Sequence, residues 1–272
     1  MDAKPETIFK YEPFSLRAVQ NVKCHSVYFN SPSWFNDPFD CGLKPRIRDP
    51  SDVEVDAISA KMLSDATTPD KVRQLLVGLP KSQVKAQLIS SAERIIEEQR
   101  DDFNNTKGVT CFSQCNDNML MWSHYGGQHK GFCLEFDTTF EPLTKLRRVN
   151  YSADIPVVDI TRFMLHDDYE HLIDLFCTKS IDWAYEREWR VLHADKGTVF
   201  TYEPNALRAI YFGAKMTKQD IDMICLVLYC QNPDVELFQG ERSDSEFRIE
   251  FSSLGRASAY KPYAEAKRLG LE

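Results

Sequence analysis

The sequence lacks any run of about 18 apolar residues, the length that a helix needs to span a bilayer. Residues 1–6 also lack the apolar core of a signal peptide. The formal net charge is -8, so the chain has no positive excess with which to hold nucleic acid through its overall field. We therefore predict a cytoplasmic protein with no membrane partner and no strong non-specific binding to nucleic acid.

The cysteines form no regular framework. Eight of them are scattered along 272 residues, and several lie in apolar patterns. This distribution favours free thiols over disulfides. The one spacing like that of a zinc site joins Cys111, Cys115, His124 and His129, but its inner gap is shorter than the roughly 12 residues of zinc fingers. We predict no disulfide and no structural metal.

The length and the hydrophobic content of 43% suffice for one full core. Strand-like patterns enclose a helical stretch that opens with a capping box at residues 51–54. We predict a single α+β domain over residues 1–272, with residues 51–103 as an inserted helical lobe and a largely antiparallel, split or curved sheet. The tail at residues 261–272 is expected to be loose or to form a short helix.

Residues 121–137 are the most unusual segment of the chain. They combine large aromatics, two histidines and three glycines, and their second half alternates apolar with polar residues as a strand does. The glycines predict a helix or turn that leads into this strand. A plain core segment does not need this mixture, so we expect a working site here. The candidate site residues of this segment are Trp122, Ser123, His124, Tyr125, His129 and Lys130.

A second marked segment, residues 34–40, reads Trp-Phe-Asn-Asp-Pro-Phe-Asp. Asn and Asp side chains bond to nearby backbone amides and Pro fixes its own φ, so this composition favours a turn, here anchored in the core by its aromatics. The functional alternative places Asp37 or Asp40 in a cleft. Asn36 and Asp37 are therefore candidates for ligand binding.

A third segment, residues 183–192, alternates charged and aromatic side chains. If residues 185–191 form a strand, Glu186, Glu188 and Arg190 lie on one of its faces. The strand then holds a pair of carboxylates rigidly beside a guanidinium. The structural alternative is an exposed charged face.

Together the three segments resemble a widespread bacterial family of unknown function whose genes often lie in mobile or defence-associated contexts. The resemblance rests on FNDPFD at 35–40, MWSHY at 121–125, HKGF at 129–132 and WxYExEWR at 183–190. It extends over nearly the whole chain, with residues 51–103 the least characteristic part. It implies a common fold but supplies no reaction.

A second resemblance, to toxin-type ADP-ribosyltransferases, concerns single elements. Those enzymes have a small split β-sheet with an early His or Arg, a middle Ser or Tyr block and a late Glu-x-Glu. Glu186 and Glu188 are similar to the late element, Ser113 to the middle one, and Tyr11 or Lys10 lies where the early one occurs. The resemblance implies an ADP-ribosyltransferase-like fold with NAD as the substrate.

That chemistry assigns roles to the candidates. Cleavage between nicotinamide and ribose passes through an oxocarbenium-like state, which Glu188 would stabilise. Glu186 would orient or deprotonate the acceptor, and His124 joins the two as a catalytic candidate. Aromatic rings would stack on the nucleotide and cationic groups would meet its phosphates. The residues expected in these binding roles are Trp34, Trp122, Tyr125, His129, Lys130 and Arg190.

We therefore expect an effector-type enzyme that acts on a small nucleotide, NAD above all, as a toxin or in phage defence, with a macromolecular acceptor that the sequence does not specify. One alternative is a nuclease or phosphodiesterase in which Asp37, Asp40, His124 and Glu188 surround a divalent metal. The other is a non-enzymatic sensor with a nucleotide in an aromatic pocket. In each case the three segments should converge on one cleft.

Overall fold

The computed structural model describes residues 3–261, so the tail expected at 261–272 lies, beyond Lys261, outside the described residues. The strands are Thr7–Glu12 (β1), Ser26–Tyr28 (β2), Arg46–Ile47 (β3), Gly108–Ser113 (β4), Phe132–Asp137 (β5), Arg147–Arg148 (β6), Asn150–Ser152 (β7), Val157–Val158 (β8), Thr178–Ser180 (β9), Glu188–His193 (β10), Val199–Thr201 (β11), Leu207–Phe212 (β12), Glu236–Arg242 (β13) and Ile249–Arg256 (β14). The α-helices are Leu16–Lys23 (α1), Asp52–Ser64 (α2), Asp70–Gly78 (α3), Lys81–Thr106 (α4), Met119–His124 (α5), Ile160–His166 (α6), Glu170–Leu175 (α7) and Lys218–Gln231 (α8).

The chain divides into two compact units, each with its own core. The first unit consists of residues up to Ser31, Gly108–Val149 and the residues from Asp182 onwards. The second unit consists of Pro32–Lys107 and Asn150–Ile181. Residues 51–103 lie wholly in the second unit, where residues 150–181 join them. The description of the chain as one domain with an inserted lobe stays a prediction.

The first unit is built on an eight-stranded sheet with the order β14-β13-β12-β5-β1-β4-β10-β6. Every neighbouring pair is antiparallel except β12 and β13, which run parallel. The predicted α+β class and largely antiparallel sheet are therefore confirmed. The split or curved shape and the likeness to ADP-ribosyltransferases stay predictions.

The two faces of this sheet differ in chemistry because successive residues of a strand point to opposite sides. One face carries Ile8, Phe112 and Phe212 and belongs to the main core, to which α1 and α8 also contribute. The register places Phe9 opposite Ser113, and Ser113 opposite Glu188, so these residues share the other face. We call this second face, which also carries Tyr11, Cys133 and Tyr211, the site face.

Residues 121–137 form the predicted helix, turn and strand. Asn118 caps α5 because its side chain accepts from the Leu120 and Met121 amides. The turn that follows has three successive left-handed residues, Gly127, Gln128 and His129, with φ values of 58°, 59° and 68°. Only glycine adopts this conformation without strain, so surrounding contacts must hold the other two. The turn leads into β5 through Gly131.

The expected strand over residues 185–191 is wrong at its start. Residues Ile181–Glu186 form a 3-10 helix, and β10 begins only at Glu188. Between them Arg187 has a φ of 45°, which interrupts the alternation of side chains. Glu188 and Arg190 therefore share a strand face as predicted, whereas Glu186 reaches its position from the preceding helix.

The second unit contains α2, α3, α4, α6 and α7 with two short parallel strand pairs, β3-β8 and β7-β9. The predicted capping box is present: the Ser51 hydroxyl accepts from the Glu54 amide, and the Glu54 carboxylate accepts from the Ser51 amide at 2.7 Å. No helix within residues 3–261 is both long and apolar enough to cross a bilayer.

The turn at residues 34–40 also lies in the second unit. Asp37 Oδ1 accepts from the Phe39 amide at 2.9 Å, which is the expected side-chain turn. Asp40 forms a buried ion pair with Lys179 at 3.4 Å. The expected anchoring by aromatics is wrong for Trp34 and Phe39, which are 78% and 59% exposed. The turn is held by the polar contacts of Asp37 and Asp40, and the rings of Trp34 and Phe39 are not buried.

Gly131 provides a test of the close approach between this turn and β1. A Cβ at Gly131 would lie 2.2 Å from the Glu12 carbonyl oxygen, whereas a Cβ at Gly78, the last residue of α3, would meet no atom within 4 Å. Gly131→Ala should lower the free energy of unfolding by about 1–3 kcal/mol, the usual cost of overpacking. Gly78→Ala should raise it by about 0.4–1 kcal/mol, because it restricts the unfolded chain. Urea denaturation measures both, and equal stability of the two variants would contradict the geometry.

Candidate functional site

Hydrogen bonds on the site face connect β1, β4 and the segment before β10. The Tyr11 hydroxyl donates to the Cys115 carbonyl at 3.0 Å. The Ser113 hydroxyl accepts from the Cys115 amide at 3.2 Å and donates to the Glu186 carbonyl at 2.6 Å. Burial raises the pKa of Tyr11 well above its usual range, so this phenol remains a donor. Tyr11 and Ser113, the candidates for the early and middle elements, thus bond to the backbone of Cys115 and Glu186.

Two charged groups of β10 form a buried ion pair. Arg190 Nε and Nη2 donate to the two oxygens of Glu188 at 2.7 and 3.0 Å. Arg190 is 0% exposed and Glu188 is 4% exposed. Such charges are stable in a protein interior only when they are paired in this way. Arg190 was expected to contact phosphates, but its side chain has no exposed surface and bonds to Glu188.

The second carboxylate has a different partner. Glu186 is 2% exposed, and its Oε1 accepts from the Tyr125 hydroxyl at 2.6 Å. Tyr125 is the C-cap residue of α5. The bond joins two of the segments that the sequence singled out, 61 residues apart. A phenol that donates at this distance fixes the orientation of the carboxylate.

Four rings, one of them that of Tyr125, lie close together next to this hydrogen bond. The His124 ring lies 6.2 Å from that of Tyr125, 6.4 Å from Trp183 and 6.5 Å from Tyr185, and the last two are 6.0 Å apart. His124 is exposed, and the other three are half-buried. We call these four residues the aromatic cluster. Trp183 and Tyr185 were not among the predicted site residues, although they lie in the same segment as Glu186.

Trp122 lies inside the protein rather than at its surface. It is 0% exposed, its ring meets Tyr11 edge to face at 5.2 Å, and its Nε1 donates to the Asn116 carbonyl at 2.7 Å. A ring with no exposed surface does not stack on a ligand. Of the first unit's two residues expected to stack, Trp122 and Tyr125, only Tyr125 keeps an accessible ring.

Ser123 and His129 meet on the outer side of Trp122. The Ser123 hydroxyl donates to the Met119 carbonyl at 2.9 Å, so we assign His129 Nε2, 3.2 Å away, as the donor to that hydroxyl. Burial, and secondarily the charge of Lys215, lower the pKa of His129. The imidazole is therefore neutral at pH 7. Lys130 follows it and is exposed.

The remaining predicted residues, Asn36 and Asp37, belong to the second unit. The structure thus brings together within the first unit the candidates from residues 11, 113, 122–125, 186, 188 and 190. All eight cysteines are free thiols. Within residues 3–261 no three His, Cys, Asp or Glu side chains are grouped as metal ligands.

The buried pair of Glu188 and Arg190 predicts a loss of stability when the carboxylate is neutralised. Glu188→Gln removes the negative charge of this pair from the interior, which should cost about 3–5 kcal/mol in the free energy of unfolding. The matched control is Glu246→Gln, which breaks the pair with Arg248 at 3.1 Å, where both side chains are more than half exposed. It should cost less than about 1 kcal/mol. Equal denaturation midpoints would show that Glu188 does not stabilise the fold.

The lowered pKa of His129 predicts a pH dependence of stability. The unfolded chain takes up this proton near its ordinary pKa of about 6.5, before the folded protein does. Stability is therefore full above about pH 6.5 and is lost as the pH falls towards the folded pKa. His129→Asn suits the left-handed backbone and should flatten the slope between pH 7 and 5, measured by urea denaturation. His25 also has a left-handed backbone, and burial lowers its pKa too. It should contribute separately to the pH dependence of stability, and His25→Asn should remove that contribution.

A wild-type slope in His129→Asn would contradict the assignment of this proton. A slope lost equally in both single variants would show instead that the two histidines are coupled.

Among the comparisons with known proteins, a family model matches one segment of the chain. No curated protein and no solved structure matches the chain. The expected resemblance to a family of unknown function is confirmed for the part that contains the aromatic cluster, both carboxylates and most of β10: residues 121–191 match the family described as "Protein of unknown function (DUF2971)".

Proposed function

We propose that the first unit is the catalytic part of an effector-type enzyme that acts on a nucleotide, with NAD as the substrate. The observation that carries the proposal is the 2.6 Å bond between Tyr125, a member of the partly exposed aromatic cluster, and the buried carboxylate of Glu186. It joins a surface suited to a planar ring with one of two carboxylates, Glu186 and Glu188, which lie two residues apart in the chain, and the cleavage of a glycosidic bond uses such a pair.

The aromatic cluster would bind the nicotinamide or adenine ring. Nucleotide bases stack on Tyr, Trp and His rings, and each such contact contributes about 1–3 kcal/mol in nucleic-acid complexes. Trp183 and Tyr185 are held 6.0 Å apart, so they can contact a ligand without first being ordered. Lys130, which is exposed near this segment, remains the candidate for a phosphate.

Glu188 would act on the ribose. As the bond between C1′ and the nicotinamide nitrogen breaks, its electron pair leaves with nicotinamide and the sugar gains positive charge. A carboxylate that is already oriented stabilises this charge without reorganisation, and Arg190 provides the orientation here.

Glu186 would act on the acceptor. The oxygen of water or of a macromolecular hydroxyl forms the new bond to C1′, and its proton passes to Glu186. Tyr125 would keep that carboxylate turned towards the acceptor. With water the products are nicotinamide and ADP-ribose, and with a macromolecule they are nicotinamide and an ADP-ribosylated acceptor.

A cellular role follows from the substrate. NAD is consumed in the cytoplasm, and an enzyme that depletes it or modifies a host protein acts as a toxin or as an effector of phage defence. This part of the proposal rests on the family resemblance together with the chemistry above.

Tyr125→Phe tests the proposal because it keeps the ring and removes only the hydroxyl. Loss of a hydrogen bond to a charged group costs about 1.5–3 kcal/mol, so kcat for nicotinamide release from NAD should fall about 10- to 100-fold. Tyr211→Phe is the matched control: its hydroxyl also donates to a glutamate, Glu135, at 2.6 Å, but β12 lies four strands from β10 in the sheet order. It should keep the wild-type rate. Chromatography measures nicotinamide, and circular dichroism checks the fold.

Other outcomes select the alternatives. Saturable thermal stabilisation by NAD with no product over hours would contradict an enzyme and support a nucleotide sensor. Chelator-sensitive cleavage of nucleic acid with no nicotinamide release would support a nuclease. Equal loss of rate in the two phenylalanine variants would show that the hydroxyls act only on stability.

A further inference from the structure

The second unit contains a cavity of about 350 Å³ whose walls are mainly apolar. One wall comes from α4, where Ile95 lies beside the buried stripe of that helix. The opposite wall comes from α7 and the residue after it, through Leu172, Ile173 and Phe176. These four side chains are only half-buried, so apolar surface remains accessible there. This cavity belongs to neither the aromatic cluster nor the carboxylates described above.

The shape of the cavity is fixed by contacts on its far side. The Phe176 ring is stacked on Phe103 of α4, with centroids 3.8 Å apart and planes 2° from parallel. Ile96, the buried neighbour of Ile95, belongs to the core of the second unit. Side chains held in this way do not simply collapse into the space, and a preformed apolar cavity binds ligand without a large ordering cost.

The charges at its rim are already balanced. Arg100, with 14% of its side chain exposed, bonds to Asp101 at 2.8 Å and to Glu97 at 3.2 Å. Lys44 lies 3.7 Å from the same Glu97. A ligand anion would have to displace carboxylates that the chain itself holds beside Arg100. The rim therefore disfavours an anionic ligand and adds little to the binding of a cation.

We infer that this cavity is a binding site for one uncharged, apolar small molecule with two linked or fused rings. An apolar cavity of about 150 Å³ binds benzene, and ligand sites in proteins measure roughly 300–1,000 Å³. A volume of about 350 Å³ therefore corresponds to a molecule about twice the size of benzene. The inference does not depend on the function proposed for the first unit.

The uncharged dye N-phenyl-1-naphthylamine, which has two linked ring systems and fluoresces in apolar surroundings, tests this site. It should bind the full chain saturably with one site per molecule. Ile173→Trp fills the cavity and should weaken binding at least 10-fold. Val77→Trp, on an exposed position of α3 in the same unit, is the matched control and should bind the dye as the wild type does.

Competition tests the chemistry of the ligand. Naphthalene should displace the dye at lower concentration than 1-naphthoate, and Arg100→Gln should leave the order unchanged. A wild-type protein without saturable binding, or equal binding by Ile173→Trp and Val77→Trp, would overturn the site. Tighter binding of naphthoate that is lost in Arg100→Gln would overturn the uncharged ligand. Ile95→Trp, from the opposite wall, replaces Ile173→Trp if that variant does not melt as the wild type does.

Discussion

The main constraint on the first unit is the burial of a charged guanidinium, that of Arg190, away from solvent. Arg190 is fully buried, and the carboxylate of Glu188, two residues earlier on β10, bonds to its guanidinium and offsets part of the cost of that burial. The penalty for removing two ions from water is several kcal/mol each, so the pair must keep its geometry. The register of β10 with β4, which sets Glu188 opposite Ser113, keeps it. Glu188, the carboxylate proposed to stabilise charge on the ribose, is therefore also a residue that stabilises the sheet by pairing with Arg190.

A second constraint is the left-handed turn at residues 127–129. Two non-glycine residues there are held in a sparsely populated conformation. The backbone contacts of His129 account for this, since its carbonyl accepts from the Lys215 amide at 2.8 Å and its amide donates to the Trp122 carbonyl at 3.1 Å. Through these bonds the turn fixes the end of α5, and with it Tyr125. The strained turn therefore helps to position Tyr125, whose hydroxyl orients the Glu186 carboxylate.

The two units present different binding chemistry. In the first, the rings of the aromatic cluster are partly exposed, and the buried carboxylates of Glu186 and Glu188 bond to a phenol and a guanidinium. This combination would suit a planar and polar ligand. In the second, the cavity is apolar and its rim charges are matched by Glu97 and Asp101. A molecule that suits one proposed site would lack the groups that the other is proposed to recognise.

Local patterns in the sequence determined much of this protein: the α+β class, the capping box at Ser51, the side-chain turn at Asp37, and the helix, turn and strand of residues 121–137. These features depend on neighbours within a few residues, so composition and spacing predict them. Tertiary structure alone decided that Arg187 ends the alternation before Glu188, that Trp122 is buried, and that Trp183 and Tyr185 join His124. Those outcomes depend on contacts between segments far apart in the chain, which no local pattern specifies.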